Sequence, residues 1–174
     1  MSFSAMLAAL FEQSKRWSDP QFLEPQAVET EQVDRLRSVA RVRHHTMTID
    51  EPKDFGGTDL APNPAEVALA ALGASLEVTC RVYADYLGIP VRRISTRIRG
   101  NLDLRGFLDL TPEVRSGMQA IEVRIRIESD ASDAEIERLL RQVRRSCPVL
   151  DLLRDPTPIS LTVDRSPSEP EKSS

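Results

Sequence analysis

Two thiols, Cys80 and Cys147, are the first places in this chain where chemistry could sit. Cys147 stands directly before Pro148. A proline suits the first position of a helix, so Cys147 is expected at the N-cap of a new helical turn, where backbone N–H groups and the helix dipole favour a thiolate. The same residue type also serves as a small buried apolar side chain, and both readings stay open. Cys80 lies between Val78 and Val82 in an apolar run and is expected to be buried and inert. That run, PNPAEVALAALGASLEVTC from Pro62 to Cys80, also carries Ser75, Glu77 and Thr79. A serine inside such a helix is a small packing residue that can bond back to its own backbone. Glu66 falls in the first turn, where a carboxylate is favourable in any helix.

Other chemistries lack their residues. There is no Gly-x-Ser-x-Gly elbow, no glycine-rich phosphate loop and no cysteine–histidine cluster at zinc spacing. His44 and His45 are neighbours, and on a strand neighbouring side chains diverge, which makes a poor metal pair. No cofactor and no metal are expected.

The elements that must position these residues can be read from pattern. Asn63 is a good N-cap, Pro64 suits the first helical position and Glu66 the third, while Gly88 and Pro90 stop the helix. The spacing predicts a helix over Pro64–Leu87, apolar over most of its circumference and therefore central. A second helix is capped by Ser132 with Glu135 at its third position, presents Ile136, Leu139, Leu140 and Val143 inward, and is interrupted at Cys147-Pro148. A short turn over Val149–Leu153 follows. Val39–Ile49 and the arginine-rich Val91–Leu104 read as extended, Ile121–Ile127 alternates apolar and polar, and Ile159, Leu161 and Val163 alternate as a last strand. Met1–Trp17 has apolar residues at helical spacing, for packing or for a partner. Ser18–Gln32 reads as a linker and Asp164 onward as a disordered tail. The division expected is residues 1–36 as helical segment and linker, 37–164 as one α+β domain, and 165–174 as tail.

With 174 residues, 40% hydrophobic and 29% charged, the chain can bury one sizeable core. The formal net charge of −4 is spread with both signs interleaved and shows no basic stripe, so no nucleic acid is expected. No apolar run is expected to reach the ~20 residues of a membrane span, and the N-terminus lacks a signal-peptide pattern. With two cysteines, a reducing compartment fits, and a cytoplasmic protein is expected.

Several separated stretches together resemble one family: DEPKDFGGTDLAPNPAEVALAALGAS (Asp50–Ser75), YADYLGIP, NLDLRGF (Asn101–Phe107) and CPVLDLLRDPTPISLTV (Cys147–Val163). Over Val39–Val163 the chain is similar to OsmC-like proteins, which include the osmotically inducible protein OsmC and the organic hydroperoxide resistance protein Ohr. The resemblance implies an α+β fold of strongly curved antiparallel sheets around two central helices, an intertwined homodimer, and active sites at the dimer interface. It implies a peroxidase chemistry in which a first cysteine on the central helix attacks the peroxide and a second resolves it as a disulfide, helped by an arginine and a glutamate at the helix start.

Cys147 in CPV matches the second cysteine. The first would stand where LAALGAC is usual, and here the residue is Ser75. The family glutamate falls directly after the proline, at Ala65, with Glu66 one place later. Arg41 and Arg43 are arginine candidates by position. A serine hydroxyl is a far weaker nucleophile than a thiolate and cannot form a sulfenic acid or a disulfide. Cys80 lies about 140° round the helix and ~7.5 Å along it from Ser75. The expected function is an OsmC-family protein without the standard two-cysteine reaction that keeps an apolar pocket for a hydrophobic small molecule or organic hydroperoxide. The alternatives are a hydroperoxide reductase using Cys147, with or without Cys80, and a non-catalytic interaction protein.

Overall fold

In the computed structural model, which describes residues 3–15, 25–155 and 157–165, the central element is helix α2, Pro64–Leu87. Its start is fixed by a reciprocal pair: Glu66 N–H donates to Asn63 Oδ1 and Asn63 N–H donates to Glu66 Oε2, both at 2.9 Å. Pro64 occupies the first turn, and Gly88, in the left-handed region, closes the end. Leu72, Leu76, Cys80 and Ala84 recur every four residues, so they line one face and are all buried.

That face packs on an antiparallel pair, β4 (Val91–Leu102) and β5 (Met118–Ser129). Ile94 opposes Ile127, Thr96 opposes Ile125 and Ile98 opposes Val123, so one side of the ribbon is apolar. The other side carries Arg93, Arg97, Arg99, Arg124 and Arg126, as period-two alternation requires. Gly73 sets the approach of α2: a Cβ there would lie 2.9 Å from Thr96 Oγ1 and 3.4 Å from Ile98 Cδ1. One-turn helix α3 (Leu104–Phe107) follows β4, with Asp103 accepting from Arg105 N–H at its start. Helix α4 (Asp133–Ser146), capped by Ser132 and Glu135, inserts Leu139 and Val143 into the core, and α5 (Pro148–Arg154) follows after Cys147.

A separate meander, β1 (Glu29–Asp34), β2 (Arg37–Val42) and β3 (His45–Ile49), pairs antiparallel in that order. Among the described residues no helix of the chain packs broadly against it. The N-terminal helix α1 (Phe3–Ser14) lies on α2, with Leu7 buried and the Phe11 ring stacked on Tyr86 at 3.9 Å between centroids.

The antiparallel α+β architecture, the central helix and the capped second helix agree with the sequence reading. Five expectations are corrected. Val39–Ile49 is not one extended segment but parts of two strands, with Arg43 and His44 in the turn between them. Alternation therefore does not separate the histidines, and their rings sit 3.8 Å apart. Glu29–Gln32 belong to β1 rather than to a linker: Glu29 pairs with Arg41 and Gln32 with Ser38 through backbone, which side-chain polarity does not prevent on a strand exposed along its length. Ile159, Leu161 and Val163 form no strand; they are 83%, 90% and 80% exposed, because no other strand of the described residues pairs with them. By length and composition alone α2 could span a membrane, yet here it is the core helix. The remainder of the linker, residues 18–24, and the tail beyond Arg165 lie outside the described residues.

Candidate functional site

Ser75 lies on α2, half-buried, and its Oγ is 3.2 Å from Cys147 Sγ, although 72 residues separate the two in the chain. The elements bring them together for local reasons. Gly73 lets this part of α2 sit close on β4. Two residues beyond Ser75, Glu77 Oε1 accepts from Thr96 N–H at 2.9 Å and from Thr96 Oγ1 at 2.8 Å, which pins helix to strand. From the other side, the buried Leu139 and Val143 seat α4 in the core and so set where that helix ends.

Cys147 ends α4, its N–H donating to Val143 O at 3.0 Å, and begins α5, its carbonyl accepting from Asp151 N–H at 3.1 Å. It holds the N-cap position that Pro148 predicts, but its side chain makes no cap hydrogen bond; the sulfur faces Ser75 instead. The residue is 2% exposed. Either group of the pair can donate, and a thiolate at Cys147 would accept from the Ser75 hydroxyl. A hydroxyl and a thiol cannot close a disulfide, and both cysteines are free.

Cys80 is fully buried in the same apolar cluster as Leu76, Ala84, Leu139 and Cys147. Burial pushes its thiol up to about 11, against a smaller opposing pull from the Arg81 guanidinium. Burial in this way disfavours the thiolate at neutral pH.

Glu66 stays exposed and is engaged in the Asn63 cap. Nine residues of helix separate it from Ser75, about 13–14 Å along the axis, so the two are not brought together within one chain. Arg41 is paired with Glu31 at 3.2 Å, and Arg43 occupies the β2–β3 turn at φ 55°.

The sequence reading missed a second set of residues. Asp50, 1% exposed, accepts from Glu51 N–H at 2.9 Å, from Thr58 N–H and Leu60 N–H at 3.2 Å each, and from the Thr58 hydroxyl. The Thr58 hydroxyl, with these backbone donors, holds its carboxyl below the ordinary range. This folds residues 50–62 into a compact loop, and Gly57 fits only because it lacks a side chain: a Cβ would fall 1.9 Å from Glu51 O. Between the loop, the start of α2 and α3 lies a cavity of about 370 Å³ lined by Glu51, Phe55, Pro64, Ala65, Leu104 and Phe107, among others. The Asp–Glu–Pro–x–Asp–Phe–Gly–Gly run was the available signal, since a buried aspartate before a glycine turn is a loop organiser. A further cavity of about 310 Å³ is lined by Leu76, Val143 and Leu150, close neighbours of Ser75 and Cys147 in sequence.

A profile described as OsmC-like protein matches residues 56–162. The chain superposes on an OsmC-like protein from Mycoplasma pneumoniae with a TM-score of 0.67 at 18% identity, covering 76% of this chain and 89% of that one. An organic hydroperoxide resistance protein OsmC from Legionella pneumophila aligns with a TM-score of 0.60 at 19% identity, covering 78% and 93%. An organic hydroperoxide resistance protein from Elizabethkingia anophelis gives 0.56 at 14% identity, covering 78% and 92%. No match is found among curated proteins.

Proposed function

Starting from the fact that this chain belongs to the OsmC-like family, we propose that it is a member without the two-cysteine reduction of organic hydroperoxides, which retains an apolar pocket for a small molecule and works as a cytoplasmic homodimer. The observation that carries the reading is the 3.2 Å contact between Ser75 Oγ and Cys147 Sγ. It supports Ser75 as the counterpart of the family's first cysteine, with oxygen where a sulfur would be attacked by, and paired with, Cys147. Without the first sulfur, no sulfenic acid forms at position 75 and no disulfide follows. The cavity at the start of α2, with Phe55 and Phe107 on its wall, supports retention of a ligand site.

The homodimer is supported by two features of the single chain: the β1–β3 meander, which no helix among the described residues packs broadly against, and the exposed alternating Ile159, Leu161 and Val163. Both are what a chain shows when part of its core is completed by a second copy.

A second reading is favoured by the same contact. Cys147 alone could act as a one-cysteine peroxidase: the thiolate takes the terminal oxygen of ROOH, giving ROH and Cys147 sulfenic acid, and a dithiol returns the thiol with release of water. The Ser75 hydroxyl would donate to the thiolate. Cys80 is poorly suited to assist because burial raises its thiol to about 11. The test is peroxide consumption with cumene hydroperoxide and a dithiol. The first reading expects no turnover above background and a gain in S75C. The second expects turnover that disappears in C147S.

A further inference from the structure

The cavity at the start of α2 has a chemical character that its apolar wall does not convey. Among the described residues, Glu51 and Asp54 are the charged ones on that wall, and no lysine or arginine contributes to it. Of the basic residues beside the wall in sequence, Arg105 donates to Asp103 through Nε at 3.0 Å and Nη2 at 2.6 Å, and Lys53 is not part of the wall. The partial positive charge at the start of α2 is met by Glu66, whose carboxylate is engaged with Asn63 N–H. The same wall carries Phe55 and Phe107, whose rings meet at 5.8 Å between centroids with their planes 57° apart, together with Leu104 and Pro64.

The geometry points to a small amphiphile with a protonated amine as the ligand: its cation between Glu51 and Asp54, its aryl or short alkyl body against Phe55 and Phe107. The proposal gives a chemical class to the small-molecule ligand of the preceding section and rests on that reading. It does not depend on Ser75 or Cys147. An ammonium by Glu51 makes charge-assisted hydrogen bonds in a partly desolvated setting, and an aromatic face within about 6 Å adds a cation–π attraction. Burial, followed by repulsion from Glu66 and Asp50, pushes the Glu51 carboxyl up, and a bound cation offsets that repulsion. An anionic ligand meets the opposite: two wall carboxylates, the added repulsion of Glu66 and Asp50 felt at Glu51, and no cation on the wall among the described residues.

The test uses the full chain in its native assembly and three ligands of matched body: phenylbutylamine, phenylbutanol and phenylbutanoate, titrated calorimetrically at neutral pH. The amine is expected to bind about tenfold more tightly than the alcohol, as for one charge-assisted contact, and the carboxylate more weakly than both. Glu51→Gln, close to isosteric, brings the amine to the affinity of the alcohol and leaves the alcohol unchanged. Phe107→Ala weakens all three. Should Glu51→Gln fail to fold, Asp54→Asn, on an exposed side chain, is expected to narrow the preference, and rising salt narrows it in the unaltered protein. Equal binding of the three ligands keeps the small-molecule reading and overturns the amine class. A preference that survives both substitutions also overturns it. Failure of all three ligands to bind overturns both.

Discussion

An oxygen and a sulfur 3.2 Å apart define the candidate site, and only the sulfur stands out in its own stretch of sequence, as a cysteine directly before a proline. Ser75 reads as an ordinary helix serine, and the partner that gives it meaning is 72 residues away. Only the resemblance of LAALGAS and CPV to a family pattern links them, because spacing along one helix says nothing about a contact to another. Cys80 was easier: valines on both sides announced a buried thiol, and burial is what raises it to about 11. Native-state alkylation at neutral pH should therefore label Cys80 about 100-fold more slowly than an ordinary thiol, the ratio set by two units of thiolate fraction. Peptide mapping after timed iodoacetamide exposure measures it, and rapid labelling of Cys80 would show that its environment is not apolar.

Between the residues and the molecule stand two joints on α2, one near its middle and one at its start. At the middle of the helix, Gly73 meets Thr96 at a distance no side chain tolerates, and Thr96 is held by Glu77. Gly73→Ala gains about 1 kcal/mol of helix propensity but overpacks by about 1–3 kcal/mol, so thermal unfolding should show a lower Tm and a displaced α2–β4 contact. At the helix start, Asp50 organises the loop that walls the cavity. Its folded pKa lies below its unfolded value, so its contribution to stability is complete above the unfolded pKa and is lost as pH falls through the folded one. Acid denaturation below about pH 4 should become shallower in Asp50→Asn, with stability at neutral pH reduced; an unchanged acid profile would remove the carboxylate from that role. Helix ends were legible in advance because Asn63, Glu66, Ser132 and Glu135 carry their caps in local sequence. Strand pairing was not. Glu29–Gln32 joins a sheet through backbone alone, and the turn at Arg43 and His44 carries no glycine to announce it.

At the scale of the molecule, the unpaired Ile159–Val163 segment is the instructive miss. Its alternation is that of a strand, and a strand needs a neighbour that the described chain does not offer. The expectation is that a second copy supplies it. Sedimentation equilibrium should give twice the 19.5 kDa mass of the chain, and truncation after Thr157 should shift the species toward monomer with loss of stability. A purely monomeric 174-residue chain would contradict the dimer and leave those apolar side chains without a role.

The most direct measurement of the central claim is cumene hydroperoxide consumption in the presence of a dithiol, comparing the protein with S75C. The account predicts background rates for the protein as it stands. It predicts turnover in S75C together with an oxidised form two hydrogens lighter, from a disulfide between the introduced thiol and Cys147. Turnover in the unaltered protein that vanishes in C147S, or an S75C variant that never forms that disulfide, would contradict it.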